Sequence, residues 1–245
     1  MPARIFVDQP LHPGAVIALP AAASRHVQVL RLQPGATLTL FNGHGGEHSA
    51  SVVLMTRSEV QVRVGAHDAV ERETRRQVTL AIGMPANERM DTVIEKATEL
   101  GAAAIVPLLC ERTVLRLSGE RAEKRLAHWR GVAVAACEQS GRTRLPAIAP
   151  VEGLAAWLQS LPDADAARWM LSLGEAPALS QVAALEAPRE RPLCLLSGPE
   201  GGLTADEEAL ARRHGFTPLS LGPRVLRADT APLAALACLG ALFDG

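Results

Sequence analysis

The sequence has no tyrosine and only 4 phenylalanines among its 245 residues. Proteins that bind single strands by base stacking rely on exposed aromatic side chains, so the composition argues against that class. Lysine is also scarce, since Lys96 and Lys124 are the only two. Arginine therefore carries nearly all the positive charge, which suits contacts with phosphates and bases but can equally reflect genomic composition.

The sequence also lacks long apolar runs and paired cysteines. No stretch of 18 apolar residues occurs, and the N-terminus MPARIFVDQP does not resemble a signal peptide. We therefore expect a cytoplasmic protein that does not enter a membrane. The four cysteines form no CxxC pair, which predicts small buried thiols and no bound metal.

The formal net charge of −1 is not typical of a nucleic-acid-binding protein, but the charges are unevenly distributed. Residues 110–149 contain 8 basic and 4 acidic side chains, whereas residues 150–245 contain 7 and 12. Residues 1–76 are also mildly basic, with 8 and 6. The chain thus has two mildly basic regions and an acidic C-terminal part.

Residues 1–70 have the pattern of a small β domain, with β-rich runs at Thr37–Phe41 and Ser49–Leu54 joined by an Asn-Gly turn. In Glu59–Val64 the valines alternate with polar residues, so they are predicted to share one buried face. Ser24–Arg31 is typical of a short helix, with its serine as the N-cap. The short strands predict a barrel, and the charged residues 71–77 predict a linker after it.

From residue 78 onwards, apolar strands alternate with helices, which predicts an α/β domain over 78–245 with a mostly parallel sheet. The predicted strands are Val78–Met84, Ala103–Leu109, Arg168–Leu173, Leu193–Ser197 and Thr217–Leu221. The predicted helices are Asn87–Leu100, Arg121–Gln139, Thr204–His214 and Thr230–Phe243. Trp129 and Trp157 are predicted to be core residues rather than platforms for bases.

Ligands bind such sheets beyond the carboxyl ends of the strands, where the sequence has the segments Ser172–Pro177, Ser197–Glu208 and Leu221–Ala231. Glycines in the second segment allow a ligand close to the backbone, and Thr204 and Glu207 form a capping-box pattern. Because neither GxxxxGK[ST] nor GxGxxG occurs, a nucleoside-type ligand without a phosphate chain fits better than a triphosphate or a dinucleotide. A tight turn that only joins a strand to a helix is an equal alternative.

The third segment places Arg224 and Arg227 beside Asp229 and Thr230. The last two residues, with Pro232 close behind, have the pattern of a helix start. A helix start does not account for the two arginines or for the Gly-Pro step before them. Both arginines are therefore functional candidates.

Five segments together resemble one known family, the bacterial 16S ribosomal RNA uridine-N3 methyltransferases of the SPOUT superfamily. They are RHVQVLRLQPG at 25–35, EKATELGA at 95–102, CEQSGR at 137–142, GPEGGLTADE at 198–207 and LGPRVLRADTA at 221–231. One such motif is weak evidence, but the last four in this order and at these separations are specific. Asp229 stands where the family commonly has glutamate, which keeps the charge but shortens its reach.

The resemblance implies a fold that composition does not reveal. It implies a trefoil knot in the parallel sheet of residues 78–245, an exception to the rule against threaded chains, and an RNA-binding PUA-like β-barrel over 1–70. It further implies a homodimer, S-adenosylmethionine as the cofactor, and 16S ribosomal RNA within the assembled small ribosomal subunit as the partner.

The resemblance also implies roles for individual residues. The implied cofactor-binding residues are Leu173, Gly174, Leu196, Ser197, Gly198, Gly201, Leu221, Gly222 and Leu226. Methyl transfer to uridine N3 requires loss of the N3 proton. Arg227 and Arg224 are candidates to stabilise the developing negative charge, and Glu200 is a candidate to accept the proton, with a plain turn residue as its alternative.

The candidate RNA contacts are Arg4, Arg25, Arg31, Arg142 and Arg144, although each arginine can instead be merely solvated. Two other functions stay open. The chain can methylate another RNA position, such as a ribose 2′-oxygen, or it can be a ribosome-assembly RNA-binding factor without activity. A dinucleotide-dependent oxidoreductase is disfavoured because its glycine fingerprint is absent.

Overall fold

The computed structural model describes residues 2–86, 89–162, 165–185 and 191–243. The chain divides into two compact units. The first unit comprises Met1–Glu73 and Val134–Leu145, and the second comprises Thr74–Ala133 and Pro146–Gly245. The CEQSGR segment therefore belongs to the same unit as the N-terminal strands.

The first unit is built on a five-stranded sheet. Its elements are β1 Ala3–Phe6, β2 Val16–Ala18, α1 Ala21–Val29, β3 Thr37–Phe41, β4 Glu47–Met55 and β5 Val60–Asp68. The strand order is β1-β3-β4-β5-β2, with β1 parallel to β3 and the other neighbours antiparallel. The hairpin predicted around the Asn-Gly pair is confirmed as β3 and β4.

The alternation predicted for Glu59–Val64 is confirmed, because all three of its valines are buried in one apolar cluster. The prediction of Ser24 as an N-cap is wrong. Helix α1 begins at Ala21, and Ser24 lies inside it, where its hydroxyl donates to the Leu19 carbonyl at 2.9 Å. Three successive alanines extend the helix to the N-terminal side of the predicted cap.

The second unit contains a parallel sheet with the order β12-β10-β11-β6-β7-β8, and β9 also pairs with β7. Its strands are β6 Val78–Gly83, β7 Ala104–Leu109, β8 Ala147–Ile148, β9 Glu152–Gly153, β10 Ala167–Leu171, β11 Leu193–Ser197 and β12 Thr217–Leu219. Its helices are α2 Arg89–Glu99, α3 Gly119–Ser140, α4 Leu154–Ser160, α5 Leu179–Ala184, α6 Ala205–Arg213 and α7 Thr230–Phe243. The last residues of α3 belong to the first unit.

The predicted α/β class with a mostly parallel sheet is confirmed, and each predicted strand and helix of this unit is present. The predicted helix start at Asn87 lies outside the described residues. The prediction missed β8, β9, α4 and α5, which are only two to seven residues long.

Two apolar clusters cover the two faces of the parallel sheet. Leu80 and Ile82 of β6 pack with residues of α2, α3 and α7, whereas Ala81 packs with residues of α4 and α6. Neighbouring residues of a strand point to opposite faces, so burial on both sides requires the continuous apolar runs seen in the sequence. Trp129 and Trp157 are buried, as predicted.

Three of the four cysteines are buried as predicted, but Cys238 on α7 is exposed, so the prediction is wrong there. Helix α7 buries only one stripe of side chains, and Cys238 lies outside it. Burial raises the pKa of Cys110 and Cys194 to about 12 and that of Cys137 to about 11. These three thiols are therefore neutral packing residues.

One arginine of the charged segment 71–77, Arg76, is packed in the protein interior instead of facing solvent. Arg76 is 1% exposed, and its guanidinium lies 5.0 Å from the ring centroid of Trp169 and 4.8 Å from that of Phe243. Such cation–π contacts make the buried charge less costly. The segment is thus partly integrated into the second unit.

Candidate functional site

Three loops meet around one cavity in the second unit. They follow β10, β11 and β12, which are neighbours in the sheet, so their carboxyl ends lie side by side. The cavity has a volume of about 310 Å³. Its lining comprises Arg112, 171–173, 197–203, Glu208, 219–226, Ala228 and Ala231. The three segments singled out from the sequence therefore do come together.

The loop after β11 makes a tight turn that excludes side chains. A Cβ added to Gly198 would lie 2.7 Å from the backbone nitrogen of Leu203. Gly202 has a φ of 68° and donates its N–H to the Pro199 carbonyl at 2.8 Å. A side chain at Gly198 would collide with backbone, and Gly202 adopts a conformation that favours glycine. Backbone atoms rather than side chains therefore form this wall of the cavity.

The predicted capping box at the start of α6 is confirmed. The Thr204 hydroxyl accepts from the Glu207 N–H at 3.3 Å, and the Glu207 carboxylate accepts from the Thr204 N–H at 2.9 Å. The other Glu207 oxygen accepts from the Glu111 N–H at 2.8 Å. Because these amides are already satisfied, this helix end is a weak site for a phosphate.

Glu200 lines the cavity and is tethered to the chain that follows β6. Its Oε1 accepts from the Ala86 N–H at 2.8 Å, and Arg89 Nη1 lies 3.5 Å from the same oxygen. Both contacts hold the carboxylate in place at the cavity wall. The side chain is 31% exposed, so it keeps the capacity to accept a further hydrogen bond.

The loop after β12 contributes a turn that depends on glycine and the charged side chain of Arg224. Gly222 has a φ of 106° and donates its N–H to the Ser220 hydroxyl at 3.1 Å. Arg224 lines the cavity, is exposed, and has no side-chain partner among the described residues. Arg227 is exposed but does not line the cavity, and its carbonyl accepts from the Thr230 N–H at the start of α7.

Eight of the sequence-predicted residues line the cavity directly: Leu173, Ser197, Gly198, Glu200, Gly201, Leu221, Gly222 and Leu226. Arg224 is a ninth. Three others do not line it. Leu196 is fully buried in the core beneath the sheet end, Gly174 is exposed beside the cavity, and Arg227 faces solvent.

The sequence interpretation missed four polar side chains of the cavity, Arg112, Ser172, Glu208 and Ser220. Arg112, from the loop after β7, donates to the Gly201 carbonyl at 2.6 Å. Ser172 donates to Glu208 at 3.2 Å, and its oxygen accepts from the Gly174 N–H at 3.1 Å. Ser172 and Glu208 lay inside the segments singled out as sites, but nothing distinguished them from ordinary loop and helix residues.

The arginines predicted to contact RNA all lie in the first unit and differ in environment. Arg4 pairs with Glu47 and donates to the Gly141 and Arg142 carbonyls at 3.1 Å each. Arg142 is 4% exposed and pairs with Glu73. These two side chains hold the first unit together rather than face solvent.

The other three arginines are exposed. Arg144 pairs with Glu71 at 2.7 Å. Arg25 and Arg31 have no side-chain partner in the part of the chain that the structure describes. They are the arginines of this set best placed to meet an incoming phosphate.

In residues 2–86, 89–162, 165–185 and 191–243, no helix is long and apolar enough to cross a membrane. No three histidine, cysteine, aspartate or glutamate side chains come together as metal ligands in those same ranges.

Two family models match the chain. An RNA methyltransferase domain matches residues 72–240, and an RNA methyltransferase PUA domain matches residues 19–65. The ribosomal RNA small subunit methyltransferase E of Bacillus subtilis is 32% identical over 219 residues, which is 87% of this chain and 84% of that protein. The protein of the same name from Synechocystis is 34% identical over 94% of this chain and 74% of that protein.

A solved structure is also similar over nearly the whole chain. The ribosomal RNA small subunit methyltransferase E from Neisseria gonorrhoeae, bound to S-adenosyl methionine, superposes with a TM-score of 0.92 at 35% identity. The match covers 99% of this chain and 98% of that one.

Proposed function

Because this chain belongs to the RNA methyltransferase family, we propose that it transfers a methyl group from S-adenosylmethionine to N3 of a uridine in 16S ribosomal RNA. Methylation of 16S ribosomal RNA with this cofactor follows from the named relatives and from the cofactor-bound structure. The choice of uridine N3 rests on the five motifs described above. The cavity formed by the three loops is the observation that carries the proposal.

The cavity fits the cofactor in size and in chemistry. Its volume of about 310 Å³ lies within the range of ligand pockets. Backbone and leucine side chains suit an uncharged adenosine, while Arg112 can meet a carboxylate and Glu208 can meet positive charge or hydroxyls. The cofactor supplies a methyl group activated by a sulfonium. We assign cofactor contacts to Glu208 and to seven of the predicted lining residues, with Gly174 and Leu196 as supporting backbone. The seven are Leu173, Ser197, Gly198, Gly201, Leu221, Gly222 and Leu226.

Charge stabilisation at the uracil ring is the proposed role of Arg224. Loss of the N3 proton spreads negative charge onto O2 and O4 of uracil, and an exposed guanidinium at the cavity stabilises it. Arg227 is proposed as a second source of positive charge close by. Glu200, held by Ala86 and Arg89, is proposed to accept the proton, because its carboxylate is fixed at the cavity wall.

The proposed RNA contacts of the first unit are Arg25, Arg31 and Arg144, since these arginines are exposed. Arg4 and Arg142 are proposed to position the loop at residues 141–142 instead of touching RNA. Because the net charge is only −1, we propose that recognition requires the assembled small subunit rather than a short RNA.

The finer architecture is proposed on the family resemblance. It comprises a PUA-like barrel over 1–70, a linker over 71–77 and a trefoil-knotted methyltransferase domain over 78–245. The close packing of the loops after β10, β11 and β12 around one cavity supports the knot. We further propose that the protein is a cytoplasmic homodimer.

Methyl transfer to ribosomal subunits tests the proposed function. Labelled S-adenosylmethionine is incubated with the protein and with small subunits from a strain that lacks the modification, and the nucleosides are then identified. Label in 3-methyluridine at one position is expected. Label in a ribose methyl group would overturn the N3 assignment, and cofactor binding without any label in 16S RNA would overturn the substrate.

Arginine variants test the catalytic assignments. Arg224→Ala is expected to lower the single-turnover rate by about 10²–10³, the usual effect of removing one preorganised charge donor. Arg213→Ala, at an exposed arginine in the last turn of α6, is the matched control and is expected to react like the wild type. A rate for Arg224→Ala equal to that of the control would refute the role of Arg224.

A further inference from the structure

Two motifs that the catalytic cavity does not use meet in the first unit. They are RHVQVLR at residues 25–31 and CEQSGR at residues 137–142. His26 Nδ1 lies 3.1 Å from Oε2 of Glu138. Glu138 Oε1 accepts from the Phe6 N–H at 2.9 Å. The contact joins α1, β1 and the end of α3.

The meeting point of the two motifs forms one wall of a cleft. The cleft has a volume of about 780 Å³ and is lined by His26, Leu30, Glu138 and Gln139 among others. This volume exceeds that of the cofactor cavity and is within the range for small-molecule ligands. The cleft can therefore accommodate a nucleotide.

The carboxylate in the cleft selects for ligands that donate hydrogen bonds. Glu138 has a side chain only 14% exposed. Burial raises the pKa of Glu138, and the hydrogen bond from Phe6 and the nearby His26 oppose that shift. A carboxylate accepts up to four hydrogen bonds, so capacity remains for N–H groups of a ligand. Gln139 is exposed, and its amide has no partner in the described ranges.

The rest of the cleft suits a flat ring with a charged tail. The imidazole of His26 is 39% exposed on its side chain and is held by Glu138, while Leu30 is 44% exposed. A fixed imidazole is a platform on which a base can stack. Arg25 precedes His26 and Arg31 follows Leu30 in the chain, and both arginines are exposed, so they can neutralise the neighbouring phosphates.

We propose that this cleft binds one unpaired nucleotide of the RNA substrate, with its base on the His26 ring and its pairing edge toward Glu138 and Gln139. The proposal rests on the proposed function, since it presumes that RNA is the substrate. Guanine is the favoured base, because its pairing edge carries the N1–H and N2–H donors side by side. These two donors can pair with the two oxygens of one carboxylate. The cleft would thus be a second RNA-recognition site, in addition to the cavity where methyl transfer is proposed to occur.

Steady-state methyl transfer to small subunits is the first test. The double variant Leu30→Ala, Gln139→Ala is compared with the matched control Leu54→Ala, Gln77→Ala, which removes a similarly exposed leucine and an exposed glutamine away from the cleft. The cleft variant loses one hydrogen bond and one apolar contact to the nucleotide and is expected to raise KM for subunits about tenfold, with kcat and cofactor binding unchanged. Equal KM values for the two double variants would overturn the proposal.

His26 variants separate stacking from structure. His26→Phe retains a ring and is expected to keep KM near that of the wild type, whereas His26→Ala is expected to raise it. Equal KM values for the two variants, with both proteins folded, would overturn the stacking role.

Nucleotide binding to the full chain tests the cleft even if no methyl transfer is found. Guanosine 5′-monophosphate is expected to shift the backbone amide NMR signals of residues 25–31 and 135–141, and adenosine 5′-monophosphate is expected to shift them far less. Glu138→Gln is expected to reduce the guanosine effect. Shifts confined to residues outside these two stretches, or no shifts at all, would overturn the proposal while leaving the proposed methyl transfer intact.

Discussion

Replacing Gly198 by alanine perturbs the turn at the centre of the candidate site. The added Cβ would lie 2.7 Å from the Leu203 nitrogen and 2.9 Å from the carbonyl carbon of Gly202. Both contacts are with backbone, so no side-chain rotation relieves them. Gly131 on α3 provides the matched control, because a Cβ added there meets no heavy atom within 4 Å other than its own neighbours and the nearby backbone of α3.

The size of the effect follows from two opposing contributions. Forcing an extra carbon into a closely packed site costs about 1–3 kcal/mol. Replacing glycine by alanine restricts the unfolded chain and returns about 0.4–1 kcal/mol. With central values of about 2 kcal/mol for the cost and about 0.7 kcal/mol for the gain, Gly198→Ala should destabilise the protein by about 1.3 kcal/mol, which lowers Tm by roughly 3–5 °C for a domain of this size. Gly131→Ala should instead stabilise by about 0.5–1 kcal/mol.

Calorimetry and titration with S-adenosylmethionine measure the two consequences. Because relief of the collision moves the segment from Ser197 to Gly201, which lines the cavity, Kd for the cofactor should rise at least about tenfold. Wild-type Tm and Kd in Gly198→Ala would refute the argument that this turn requires glycine. An equal loss of stability in Gly131→Ala would show that the collision is not the cause.

Three further perturbations have defined outcomes. Thr204→Ala removes the cap of α6 and should lower the free energy of unfolding in urea by about 1 kcal/mol, whereas Thr204→Ser keeps the hydroxyl and should not. Equal stability of the two variants would contradict this. Burial raises the pKa of Glu47, but hydrogen bonds from Arg72 and Arg4 outweigh it and leave the pKa lowered. The stabilisation by Glu47 is therefore present at neutral pH and is lost as pH falls through the lowered pKa. Glu47→Gln should be less stable than the wild type at pH 7, and the difference in stability should shrink in acid. A difference that stays constant across that pH range would disprove the ion-pair role. Arg112→Ala removes the 2.6 Å hydrogen bond to Gly201 and should weaken cofactor binding, and an unchanged Kd measured by titration would rule out that positioning role.

The regular elements of the second unit could be predicted because their signals are local. β11 occupies the predicted residues Leu193–Ser197, since a strand buried on both faces requires an unbroken apolar run. The capping box of α6 was equally visible, because both partners lie within one turn. The short elements β8 and β9 carry too few residues for any periodicity, and they form only because β7 offers an edge to pair with.

Contacts between residues far apart in the chain decided the environments of the arginines, which the sequence did not reveal. Arg4 and Arg142 were as plausible for RNA as Arg25, yet Glu47 and Glu73, far away along the chain, hold them inside the first unit. Likewise, Arg112 reaches the cavity across 89 positions. A side chain that acts through a distant partner leaves no pattern in its own segment.

The sequence by itself determined the class of the fold, the three loops of the cavity and the family, because each depends on spacing within a short stretch of chain. Only the tertiary structure decided which of the predicted arginines are exposed, which polar side chains complete the cavity, and that the segments 25–31 and 137–142 meet in a cleft. Those outcomes depend on which distant carboxylates and carbonyls the folded chain brings within hydrogen-bond distance. Burial then makes such pairings energetically significant.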